Sequence, residues 1–157
     1  MNISEIARAM AETFGIAGLE SEDGKIEIEI DNLAIMIEET DEDVFMLNGL
    51  VGEAPSEGGE AFAKILLEGN MVLMNTKAAA LARNPQTGAY VLIERVPLSA
   101  SSDFGSFCES LGEFVDTLES WRAILNDFNP AAAAAGAIAA EKEAETLYAL
   151  QNGFLRI

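Results

Sequence analysis

The chain has 157 residues, half of them hydrophobic, and sets 9 Lys and Arg against 27 Asp and Glu for a formal charge of −18. That length supports one ordinary domain with its own core, and the apolar content is too high for a disordered chain. The charge argues against nucleic acid and anionic membranes as partners, since both need basic contacts, and the absence of histidine removes the commonest general base and metal ligand.

Ile3, Ile6, Ala7, Met10 and Phe14 recur at helical spacing and predict a helix over residues 2–15, ended by Gly15 and Gly18. The period then changes to two. Lys25 to Asp31 alternates apolar and acidic residues, which predicts a strand with one dry and one wet face. A second strand is expected over Leu33–Glu38, with Leu33, Ile35 and Ile37 on one face and Ala34 and Met36 on the other. A charged turn leads to a third strand over Val44–Val51, completing an antiparallel meander.

After a loop over residues 52–59, a helix is expected from Ser56 to about Leu73. Lys77–Arg83 and Ala89–Val96 read as two further strands around the turn Asn84-Pro85-Gln86-Thr87-Gly88. Ser102 or Asp103 caps a long helix whose apolar stripe runs from Phe104 to Phe128, and Asn129-Pro130 stops it. The order α-β-β-β-α-β-β-α gives an α+β domain over residues 1–128, with a five-stranded antiparallel sheet and three helices. Residues 129–157 read as an Ala-rich extension, flexible or partly helical, with a short helix allowed over Glu141–Leu150.

No catalytic constellation stands out. There is no phosphate-binding loop, no Cys or His cluster for a metal, and no route to a Ser-His-Asp triad. Asp41-Glu42-Asp43 lacks the ligand pattern of a calcium loop and reads as a solvated turn. Glu27 and Glu29 share a strand face, but nothing sets a substrate between them, so a carboxylate hydrolase is the weakest alternative. The single cysteine, Cys108, falls on the apolar stripe of the last helix and is expected to be buried and inert, which suits a reducing cytoplasm. The amino-terminal residues lack a basic region and a signal-peptide core, and Ala131–Ala140 is too short for a bilayer core of about 30 Å. What remains is apolar surface, including methionines suited to adaptable binding.

Several local phrases then fall in one order: Phe14-Gly15-Ile16, Asp23-Gly24-Lys25-Ile26, Leu47-Asn48, Leu66-Leu67-Glu68-Gly69-Asn70, Asn84-Pro85-Gln86-Thr87-Gly88, Pro97-Leu98, and Phe114-Val115 to Trp121-Arg122. In these the chain resembles the class I type III secretion chaperones, the Tir chaperone family, over roughly residues 1–128. Ala79–Arg83 is poorer in glycine than that family's usual strand, and the tail beyond Phe128 is longer. The resemblance implies a bacterial cytoplasmic homodimer with its second helix near the two-fold axis, no cofactor, no ATP and no catalysis. Its partner would be the amino-terminal segment of one or more secreted effectors, wrapped around the dimer in extended form. A generic interaction or regulatory module on the same scaffold is the alternative. On this reading Ile6, Met10, Phe14, Ile35, Met36, Ile37 and Met46 contribute to client-binding patches. Phe62, Ile65, Leu66, Gly69, Val72 and Leu73 form the dimer contact or the core beside it.

Overall fold

The computed structural model describes residues 1–41, 43–71, 76–98, 103–136 and 142. The elements run α1 (Ile3–Phe14), β1 (Lys25–Ile30), β2 (Leu33–Asp41), β3 (Val44–Gly52), α2 (Gly59–Met71), β4 (Ala80–Arg83), β5 (Tyr90–Pro97) and α3 (Phe104–Asn126). The sheet order is β1-β2-β3-β5-β4, antiparallel throughout, so the expected α+β order and five-stranded sheet are present.

Local chemistry sets the boundaries. Asn2 and Glu5 form a reciprocal capping box at the start of α1, and Gly15 closes it in the left-handed region at φ 68°. Asp31 and Asn32, both at positive φ, make the two-residue turn that joins β1 to β2. Asn84 Oδ1 accepts from the Gln86 N–H at 2.9 Å and organises the β4–β5 loop. Asp103 caps α3 through the Ser106 N–H at 3.0 Å, and that bond, with a second from the Ser106 hydroxyl, holds its carboxyl below the usual range.

Two element starts and one further helix differ most from the sequence reading. The second helix starts at Gly59, because Gly58 at φ 72° breaks the helical run. The fourth strand starts at Ala80, because Lys77 sits at φ 52° and the Ala79 N–H closes a turn onto the Thr76 carbonyl. A fourth helical segment, residues 130–136, follows the three expected helices. Asn129 does more than stop α3. Its Oδ1 accepts from the Ala131 and Ala132 N–H groups at 3.0 and 3.2 Å, and Pro130 takes the first helical position. The short helix expected over Glu141–Leu150 falls almost wholly outside the described residues.

One apolar cluster draws on all three long helices and the inner sheet face. Ile26, Ile37, Leu47 and Leu92 come from four neighbouring strands, and α3 lays Phe107, Leu111, Phe114, Leu118 and Trp121 against them. The approach is close enough that a Cβ on Gly49 would stand 2.5 Å from Leu118 Cδ2. Each such side chain contributes roughly 1.5–3 kcal/mol by burial. Phe62 joins the layers, its ring 5.3 Å from Tyr90 and 5.0 Å from Phe128.

Candidate binding surfaces

The sheet offers two edges, and they are finished differently. The Asp31-Asn32 turn makes Ile30 and Leu33 a hydrogen-bonded pair, and pairs alternate from there along an antiparallel ladder. The bond from the Glu39 N–H to the Gly24 carbonyl, 3.1 Å, keeps the same phase. The backbone N–H and C=O groups of Glu27 and Glu29 therefore point away from β2. At Lys25 the outward groups are taken by an isolated bridge to Glu22. Between them and the turn, β1 presents a short open edge flanked by two exposed carboxylates.

At the opposite edge the same alternation turns the Leu81 backbone outward from β5. There the Asn70 side chain takes the place of a neighbouring strand. Its Oδ1 accepts from the Leu81 N–H at 2.8 Å and its Nδ2 donates to the Leu81 carbonyl at 3.0 Å. Gly69 sets this up: a Cβ there would lie 2.5 Å from the Trp121 ring, so only glycine lets α2 approach α3 this closely.

The outer sheet face is partly apolar. Glu27 and Glu29 of β1, Ala34 and Met36 of β2, Leu50 of β3 and Val91 of β5 line a shallow concavity of about 580 Å³ at the Asn32 end of the sheet. Leu50 is 46% exposed. Met46 lies on the same face further along, between Glu38 and Arg95 in the register.

This geometry sorts the sequence-assigned residues. Ile6, Met10, Ile35 and Ile37 are sealed in the core of the single chain, so their assignment to client patches is corrected. The physical reason is strand and helix phase: Ile35 and Ile37 belong to the inner face with Ile26, and Ile6 and Met10 to the buried stripe of α1. Met36 and Met46 share the outer face with partial exposure, and Phe14 stands 53% exposed at the end of α1. Of the dimer set, Phe62, Leu66 and Gly69 face inward, toward Tyr90, the core cluster and Trp121. They take the second of the two places the sequence reading allowed, the core beside the contact. Ile65 is partly buried against that core. Val72 and Leu73 lie outside the described residues.

The outward face of α2 instead carries Leu67, 69% exposed, and Met71, 81% exposed, one helical turn apart. Neither was singled out from sequence, nor was Leu50. The signal was present: adjacent pairs such as Leu66-Leu67 and Leu50-Val51 cannot both face a core. Asn70 was visible only as part of a motif, because a side chain bonded to a distant strand leaves no periodic trace.

Two titratable groups are perturbed inside the fold. Glu94 sits buried on the inner sheet face opposite Leu47; desolvation and the Glu113 charge push its carboxyl upward, partly offset by Lys77. Cys108 is half-buried, less enclosed than expected, and desolvation raises its thiol, which disfavours the thiolate form. Among the described residues no helix is long and apolar enough to cross a membrane.

The sequence profile of the Tir chaperone protein (CesT) family matches residues 5–122. No curated protein sequence matches at a significant level. Solved structures share the fold at low identity. A chain of the ExsC–ExsE complex superposes with a TM-score of 0.66 at 16% identity, covering 80% of this chain and 97% of that one. A chain of the HopA1–SchA chaperone–effector complex gives 0.62 at 16%, covering 76% and 91%. One from the ExoT–SpcS complex of Pseudomonas aeruginosa gives 0.55 at 19%, covering 76% and 98%.

Proposed function

Since this chain belongs to the Tir chaperone protein (CesT) family, we propose that it is a non-enzymatic, ATP-independent chaperone. On this reading it binds the amino-terminal segment of one or more type III secretion effectors as a homodimer and keeps them soluble and competent for export. The observation that carries it is the pairing of an open strand edge at Glu27 and Glu29 with an apolar outer face beside it. An extended client segment gains backbone hydrogen bonds from the edge and burial from Met36 and Leu50, with no need to fold first. Phe14 and Met46 extend the apolar contacts. The two edge carboxylates favour a client with basic residues at that point, and the charge of −18 keeps the loaded complex dispersed.

The dimer reading moves one helical position from the residues first assigned. Leu67 and Met71 form an exposed apolar stripe on α2, and in a two-fold interface such a patch meets its own copy. Chaperone–effector complexes of the same fold support the client class. The test is co-purification from the native host with mass spectrometry to identify the client, followed by light scattering on the purified pair. A complex of two chaperone copies with one client is expected. A chaperone that stays monomeric at micromolar concentration and binds only folded proteins contradicts the reading.

A further inference from the structure

The open edge of β1 is short enough to dictate the pattern of a chain that joins it. The Glu22–Lys25 bridge occupies one end, and the Asp31-Asn32 turn closes the other. Among the described residues no backbone hydrogen bond reaches Glu27 or Glu29 from outside the sheet. An added strand therefore finds its hydrogen bonds at these two residues, which stand two apart, about 7 Å from each other.

Strand phase fixes what the side chains of that added strand meet. Glu27 and Glu29 are exposed on the outer face, while Ile28 and Ile30 point to the inner face, half-buried at the margin of the core. Across β2 the register gives Met36 to Glu27 and Ala34 to Glu29, so neither carboxylate has a cation opposite it. No ion pair among the described residues includes either one. Lys25, the next residue along the same face of β1, is already held by Glu38 at 3.3 Å. Residues directly opposite on adjoining strands share a sheet face, where opposite charges stabilise and like charges destabilise. A client residue facing Glu27 or Glu29 thus lies against an unmatched carboxylate, and one facing Ile28 lies against apolar surface.

We propose that the β1 edge selects an extended segment of the pattern basic–apolar–basic, with its two cations facing Glu27 and Glu29 and its middle side chain covering Ile28. This deepens the chaperone reading and rests on it for the partner being a client. Selection is by spacing and not by total charge. Two adjacent cations cannot both face the carboxylates, because neighbouring residues of a strand point to opposite faces.

The full chain is titrated with two peptides of equal composition while its backbone amide signals are followed. One peptide alternates lysine and valine singly; the other alternates them in pairs, so that no two lysines stand two apart. The singly alternating peptide binds about fivefold more tightly and shifts the Glu27 and Glu29 amides. Glu27→Lys with Glu29→Lys reverses the choice, so that singly alternating glutamate and valine is now preferred. Glu109→Lys with Glu119→Lys, both exposed on α3, changes the total charge equally and leaves the original preference in place. Equal affinity for the two lysine peptides, no binding of either, or a preference lost in the α3 variant overturns the proposal. A client held at β1 through a segment without this pattern also overturns it and leaves the chaperone reading standing. Selection of the singly alternating peptide at β1 by a chain that holds no secreted client contradicts the chaperone reading alone.

Discussion

The two edges of one sheet are treated in opposite ways. At β4 the Asn70 amide reproduces both hydrogen bonds of a missing strand, so the middle of that edge is closed. At β1 the backbone groups of Glu27 and Glu29 point outward with only charged side chains to guard them. Free edges invite pairing with any passing strand, and folded proteins blunt them. Here one edge is plugged by a specific side chain, and the other is left to electrostatic selection. The difference teaches what the proposed docking at β1 needs: one edge open to an extended partner and the other closed to it.

The strongest way to break this comparison is Asn70→Ala. It leaves the Leu81 N–H and C=O without their partners and costs about 2 kcal/mol, read from a denaturant melt. It also opens a second edge, so self-association by light scattering rises. Asn70→Asp keeps the acceptor and loses the donor, and its loss of stability is about half as large. Wild-type stability in both variants contradicts the plugging role.

Next in size is the pair Leu67→Asp with Met71→Asp. Both side chains are exposed, so the subunit's melting changes by about 0.5 kcal/mol or less, while a dimer built on α2 dissociates. A dimer that survives places the two-fold axis elsewhere. Replacing Glu27→Lys with Glu29→Lys sharpens the β1 half of the comparison. Folding stability stays within about 0.5 kcal/mol, but a basic client binds more weakly and its binding loses salt dependence.

The smallest effect concerns Glu94. Its carboxyl pKa is raised in the fold, so the folded state holds the proton more tightly than the unfolded chain does. The stability this group contributes is present at low pH and is lost as pH rises from the ordinary glutamate range through the raised value. Glu94→Gln therefore raises the melting temperature at pH 7, and the advantage fades on acidification toward pH 4. An advantage that grows on acidification reverses the assigned sign.

The element order was legible because each period is physical: Lys25–Asp31 alternates since its sheet has one wet face, and the Phe107–Trp121 stripe repeats because α3 lies along the other. Periodicity names a face but not which layer covers it. That is why Ile35 and Ile37 read as binding residues although α3 and its neighbours seal them, and why Leu66 was left between dimer contact and core while Leu67 went unassigned. Asn129-Pro130 was read as a stop, and the same two residues also start the next helix. Asn70 was beyond reach from sequence, since its partner Leu81 belongs to a different element and is met only when the chain folds.

The central claim is that an extended partner joins the sheet at β1 and nowhere else. Hydrogen exchange on the client-bound protein, read at single amides, tests it most directly. The account expects the Glu27 and Glu29 amides to slow markedly on binding while the Leu81 amide, already bonded to Asn70, keeps its free rate. Slowing at Leu81 with Glu27 and Glu29 unchanged contradicts it.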